Sequence, residues 1–308
     1  MKDAPLFTDI GGIPAGGHAY FVSSGGERDI RVAYWEGGNQ TALLFPGRTE
    51  YIEKYGAMIQ KLLDRDMNVV VIDWQGQGLS ERHEDIDTHG HIVNFLDYQN
   101  DVTAALAIPE IAALSGPRIL FAHSMGGCIG LRSVIEGLDV KAAVFSSPMW
   151  GIQNDVALRP LLGAATNVGK PFKLHKAFAP GTKPTFYAQV EPFETNNITN
   201  DPVHYAMMQS HLAAHPELGL GGPTIRWVSQ AAKEMAALRK AEVPNIPMLI
   251  FLGADENVVD AKAIVKRAPT LPNATLETID GGKHENWMET PEIQAKVWDL
   301  TDRFLATL

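Results

Sequence analysis

The chain has 308 residues, 45% hydrophobic and 20% charged, which is enough apolar material for a substantial core and argues against disorder. Acids outnumber bases 36 to 26, giving a formal charge of −10; with no dense basic patch this excludes nucleic acid, whose binding rests on Lys and Arg neutralising phosphates. A single cysteine, Cys128, excludes an internal disulfide and a cysteine-ligated metal cluster.

No apolar run approaches the ~20 residues of a membrane helix, and the opening "MKDAPLFTDIGGIPAGG" has no continuous apolar signal segment. A soluble, cytoplasmic protein is expected. In chain order, "RDIRVAYW" (28–35) alternates and reads as a strand near a sheet edge, followed by the buried strand "TALLF" (41–45). Over 51–66, Ile52, Tyr55, Ile59, Leu62 and Leu63 form one helical stripe. "NVVVIDW" (68–74), "RILFA" (118–122) and "VKAAVFSS" (140–147) are nearly continuous apolar runs, as strands covered on both faces should be. A helix-like segment, 127–137, lies between the last two. After a long gap come "PMLIFLG" (247–253), a shorter strand at 275–279, and an amphipathic helix over 291–308.

This alternation predicts an α/β fold with a mostly parallel central sheet and helices on both faces. It fails between 149 and 240, too long a stretch for a loop in a compact domain. The expected organisation is a core of 1–148 and 241–308, with 149–240 an inserted cap over the strand ends. Ligands of such sheets bind beyond the carboxyl ends of the strands.

The chemistry-bearing residues fall at those ends. Ser124, in "RILFAHSMGGCIGL", sits between a strand and a helix with Ala122 two before it and Gly126 two after. This is the small-x-Ser-x-Gly pattern of a sharp turn that exposes a serine hydroxyl. The competing reading is a helix-capping serine. A nucleophilic serine needs a base, and the base an orienting acid. His284, in "DGGKHENWME", follows the strand at 275–279. Asp255, in "LGADENVVD", follows 247–253 and is the expected acid, with Glu256 and Asp260 as alternatives in the same loop. The backbone N–H of Met125 and that of Arg48, after the turn in "LLFPGRTEY", are the expected oxyanion donors.

These segments resemble the α/β-hydrolases of the monoacylglycerol lipase and bacterial lysophospholipase group. "AHSMGG" is similar to that group's G-H-S-M-G-G, with Ala122 in place of the first glycine. "FPGRTEYIEKY" resembles the oxyanion segment of the lysophospholipase branch, and "DWQGQGLSER" and "GHIVNFLDYQND" resemble the loop segments that follow. "NNITND" and "AHPELGLGGPT" resemble the cap of those enzymes; "GADENVVD" and "GGKHENWME" match their acid and histidine segments. The resemblance implies a triad of Ser124, Asp255 and His284, oxyanion donors Arg48 and Met125, and hydrolysis of a single-chain lipid ester, lysophospholipid or monoacylglycerol. It implies no cofactor and no metal. Acyl transfer or a general esterase at the same site, and a non-catalytic lipid carrier on the same fold, remain alternatives, since fold alone does not give function.

In the insertion, Met149, Trp150, Phe178, Phe193 and Trp227 are candidates for an apolar acyl-chain channel, with Leu161, Leu162 and Phe172 among further apolar residues. Such a protein makes at most transient contact with lipid surfaces. Arg48, Arg226 and Lys170 are candidates to meet a phosphate. His123 reads as structural, Cys128 as a small core residue, and the histidine-rich "RHEDIDTHGH" (82–91) as a solvated loop rather than a metal site.

Overall fold

The computed structural model describes residues 1–25, 28–83, 86–152 and 174–308. Leu161, Leu162, Lys170 and Phe172 lie outside these. The described strands are β1 (Lys2–Asp3), β2 (His18–Ser23), β3 (Asp29–Trp35), β4 (Gln40–Phe45), β5 (Met67–Asp73), β6 (Arg118–His123), β7 (Ala142–Ser146), β8 (Met248–Gly253) and β9 (Ala274–Ile279). They form one sheet in the order β1-β2-β3-β5-β4-β6-β7-β8-β9. β1, β2, β3 and β5 pair antiparallel, and from β5 to β9 every pairing is parallel. This is the α/β-hydrolase fold. Among the described residues, no helix is long and apolar enough to cross a membrane.

The helices are α1 (Gly56–Leu63), α2 (Tyr98–Leu106), α3 (Pro109–Ala112), α4 (Met125–Ile135), α5 (Tyr187–Val190), α6 (Pro202–Ala214), α7 (Ile225–Leu238), α8 (Ala261–Arg267) and α9 (Pro291–Leu305). Successive strand residues point to opposite faces. Leu43, Phe45, Val70 and Ile72 therefore pack with Val102 of α2, Ile129 of α4 and Met235 of α7. Ala42, Leu44, Val69 and Val71 pack on the other face with Ile59 of α1 and Val297 and Trp298 of α9. A smaller cluster joins Tyr51 to Phe186, Tyr205, Met208 and Leu212 of the inserted region.

Two details depart from the sequence expectation. The strand over 28–35 is not at an edge: β3 lies between β2 and β5 and is buried almost throughout. The apparent polar position, Arg31, is a buried cation. Its guanidinium donates to Glu53 Oε1 and Oε2 at 2.7 Å each and to Asp73 Oδ2 at 2.8 Å. Second, α7, placed in the insertion by its sequence position, packs into the main core through Trp227, Ala231, Ala232, Met235 and Leu238.

Asp101 on α2 accepts hydrogen bonds from Gln75 N and Nε2, both at 3.0 Å. Burial outweighs these bonds and pushes its carboxyl up to about 7. An unfolded Asp titrates near ~3.9, so the folded state holds the proton more tightly. The resulting stability is fully present below about pH 4 and is lost as pH rises to about 7. Unfolding measured against pH should show this decline, and Asp101→Asn should flatten it; an equally steep profile in the variant would refute the assignment.

Candidate active site

Four strand ends supply the site: β4 leads to the Gly47–Arg48 loop, β6 to Ser124, β8 to Glu256 and β9 to His284. At the end of β6 the backbone reverses into α4. Ser124 adopts φ 51° and ψ −116°, a conformation that L residues rarely hold without surrounding constraint. The constraint is visible: Ser124 N donates to Ser146 O at 3.0 Å, while Ser124 O accepts from Gly127 N at 2.9 Å and Met149 N at 2.8 Å. A Cβ on Gly126 would lie 2.1 Å from Phe45 O, so only glycine lets the turn press against the end of β4. Ala122 is accommodated because Gly130 lies opposite it: a Cβ there would sit 3.3 Å from the Ala122 methyl.

The serine does not cap its helix. Its side chain makes no capping bond; its Oγ lies 2.9 Å from His284 Nε2. On the other side of the ring, Nδ1 is 2.8 Å from Glu256 Oε2. The expected acid is therefore corrected by one residue. Asp255 is exposed in the turn after β8 and engages the histidine loop only through its backbone N–H, which donates to Gly282 O at 2.9 Å. Glu256 turns inward, and its Oε1 accepts the N–H groups of Val258 at 2.7 Å and Val259 at 3.0 Å. Asp260 instead caps α8 through Lys262 N and Ala263 N. Burial alone would raise the Glu256 carboxyl, but the His284 ring, its hydrogen bond and that of the Ser147 hydroxyl bring it down to about 2.

Facing Ser124, the Gly47–Arg48 loop is held from several directions. Gly47 N and the Tyr55 hydroxyl both donate to Glu50 Oε2. Thr49 N donates to Gln77 Oε1 at 2.6 Å, and Gln77 Nε2 reaches Met125 Sδ at 3.7 Å. Thus the "DWQGQG" loop supports the Gly47–Arg48 segment. Among the described residues, neither Arg48 N nor Met125 N has an acceptor, which suits both to an incoming oxyanion.

Beneath this loop lies a buried ionic network that the sequence did not disclose. Lys54 Nζ donates to Glu50 Oε1 and Glu285 Oε1, each at 2.6 Å. Glu285 Oε2 lies 3.0 Å from His204 Nε2 on α6. His123 completes it, with Nδ1 3.1 Å from Ser146 O and its ring 4.7 Å from that of His284. Burial pushes the His123 imidazole down to about 4, so it is neutral near pH 7. Glu50, His123 and Glu285 are close enough to share a cation, and the Lys54 ammonium bridges the two carboxylates.

The "NNITND" segment clamps the histidine loop: Glu285 N donates to Ile198 O at 2.8 Å and Lys283 Nζ to Asn196 O at 2.8 Å. The candidate channel residues fall in different packing environments, with Met149, Trp150 and Trp227 in the main core and Phe193 against the smaller cluster. Trp150 is core, donating from Nε1 to Gly127 O at 3.2 Å and packing on Phe145; Met149 is buried beside it. Phe178 stacks on His89 at 3.7 Å, and Phe193 packs on Tyr205. Trp227 does approach the Gly47–Arg48 loop, with the Arg48 guanidinium 5.5 Å from its ring. The end of the 82–91 stretch is anchored rather than solvated: Gly90 N donates to Gly222 O, Thr224 N to Gly90 O, and His91 Nδ1 lies 2.9 Å from Thr224 Oγ1.

The family model of Hydrolase_4, described as serine aminopeptidase, S33, matches residues 39–291. The chain belongs to this family. Within Hydrolase_4 space, it is 29% identical over 292 residues to a probable lysophospholipase L2 of Haemophilus influenzae, covering 91% of this chain and 90% of that protein. The lysophospholipase L2 of Escherichia coli K12 is also 29% identical, over 291 residues, with 92% and 79% covered. Among solved structures, a soluble variant of the Saccharomyces cerevisiae monoglyceride lipase superposes with TM-score 0.72 at 17% identity, covering 96% of this chain and 98% of that one. A Bacillus coagulans carboxyl esterase gives 0.72 at 16%, covering 96% and 99%. These structural likenesses establish the Hydrolase_4 chain's fold.

Proposed function

We propose that the protein is a serine carboxylic-ester hydrolase that acts on single-chain lipid esters through an acyl-enzyme. The observation that carries this reading is the continuous relay from Ser124 Oγ through His284 to Glu256. The lysophospholipase L2 relatives, similar over nearly the whole chain, support the substrate class.

In this mechanism His284 Nε2 takes the Ser124 proton as Oγ attacks the ester carbonyl. The N–H groups of Arg48 and Met125 receive the oxyanion, and Glu256 holds Nδ1–H and stabilises the imidazolium. His284 then protonates the departing alcohol oxygen, leaving the acyl group on Ser124. Water, deprotonated by the same nitrogen, releases the fatty acid. The inserted stretch 149–240 is assigned as the cap over the strand ends, with its last helix, α7, also packing into the main core.

Incubation with a fluorophosphonate, followed by intact-mass measurement, tests the site. One adduct is expected on the wild type and none on Ser124→Ala. An unmodified wild type, or an adduct that persists in the variant, would refute the assigned nucleophile.

A further inference from the structure

Arg48 is placed at the oxyanion loop by its backbone, yet its side chain has no comparable employment. Nη1 donates to Gly221 O at 3.0 Å, and the guanidinium lies over the Trp227 ring. Trp227 is itself fixed by donating from Nε1 to the Tyr98 hydroxyl at 3.2 Å. Gly90 closes the other side, where a Cβ would approach Nη1 to 3.0 Å. The guanidinium is therefore anchored by a carbonyl and an aromatic face.

What it lacks is an anion. Arg31 has Glu53 and Asp73, Lys54 has Glu50 and Glu285, and Arg132 has Glu234. Among the described residues, no carboxylate pairs with Arg48, although the chain carries ten more acids than bases (36 against 26). Burial pushes its pKa down to about 10, the direction expected of a guanidinium held partly out of water with a carbonyl and a ring beside it but no carboxylate. A charge in that condition attracts a partner strongly, and a guanidinium edge matches the oxygens of a phosphate.

Position selects which anion. The Arg48 N–H is the donor assigned to the oxyanion, and the backbone nitrogen is separated from Cζ by the same number of covalent bonds as the ester carbonyl carbon from phosphorus in a 1-acyl lysophospholipid. With ordinary bond lengths, a substrate whose carbonyl oxygen meets Arg48 N can bring its phosphate to the guanidinium of the same residue. We propose that the Arg48 side chain binds the phosphodiester of the leaving group, so that one residue holds the reacting carbonyl through its backbone and the head group through its side chain. The phosphodiester is not cleaved; it departs on the alcohol that His284 protonates. This inference rests on the lipid-ester reading above.

The test measures kcat/KM for 1-decanoyl lysophosphatidylcholine and 1-decanoylglycerol at monomeric concentrations, on wild type, Arg48→Met and Arg48→Lys. Rates are normalised to fluorophosphonate-titrated sites, so that misfolded protein does not contribute. In Arg48→Met the preference for the phospholipid over the neutral ester should fall by about ten- to a hundredfold, the range for a lost charge-assisted hydrogen bond. Arg48→Lys should recover part of it, and glycerophosphocholine should inhibit the wild type more strongly than Arg48→Met. An unchanged ratio with both esters cleaved overturns this inference alone. Inorganic phosphate inhibiting neutral-ester cleavage as strongly as glycerophosphocholine would reassign Arg48 to free phosphate and overturn the head-group role. A wild type that takes the fluorophosphonate but cleaves neither ester overturns the lipid-ester reading and this inference together.

Discussion

Glu256→Gln should lower kcat by about four orders of magnitude, the scale of the corresponding acid-to-amide change in a serine-protease triad, whereas Asp255→Asn should stay within about twofold, as exposed surface changes do. Glu256 Oε1 accepts the N–H groups of Val258 and Val259 while Oε2 faces His284 Nδ1. A glutamine keeping its oxygen on those N–H groups turns its NH₂ toward Nδ1. That favours the histidine tautomer with its proton on Nε2, which cannot accept the proton of Ser124. Since the carboxyl of Glu256 lies near 2, it remains ionised through the ordinary assay range, and the contrast should hold from about pH 5 upward. Turnover of a chromogenic ester by the two variants decides it. The reverse pattern would restore Asp255 as the acid.

Lys54→Met should destabilise the protein by about 3–5 kcal/mol, the cost of removing one partner from a buried ion pair, lowering Tm by roughly 5–8 °C for a chain of this size. It leaves Glu50 and Glu285 facing each other with no cation between them. Burial would drive both carboxyls up, but in the wild type Lys54 holds them below their ordinary range, and they in turn raise the ammonium. Their contribution is therefore present above about pH 4.5 and is lost as pH falls through the depressed values. Calorimetry should show the gap between wild type and Lys54→Met narrowing on acidification, and Glu285→Gln in the same chain should recover part of the loss. Activity should fall as well, because Glu50 holds Gly47 N. An unchanged Tm would mean that the network is not under electrostatic strain when its cation is removed.

The parallel strands were legible in the sequence because each is buried on both faces and reads as an unbroken apolar run. The serine turn was legible because close backbone approach demands small residues at fixed spacing, and Gly126 against Phe45 O shows that demand directly. β3 misread as an edge because Arg31 interrupts its apolar pattern; its two acids lie far along the chain at Glu53 and Asp73. The choice between Asp255 and Glu256 depended on which way a turn rotates after β8, and two adjacent acids present the same chemistry to a reader of residues. Lys54, Glu50 and Glu285 were invisible for a simpler reason: on a sequence, charged residues read as solvated until tertiary contacts enclose them.

The two halves of the relay, Ser124 and His284, are 160 positions apart in the chain. At the ~5–20 residues per second of synthesis, roughly ten to thirty seconds separate the appearance of the serine from that of its histidine. A nascent chain can finish its first strands and turn, and still offer no base to the hydroxyl. Ester cleavage is thus withheld from every incomplete chain, and in refolding experiments the return of activity should time the docking of β9 rather than the collapse of the core.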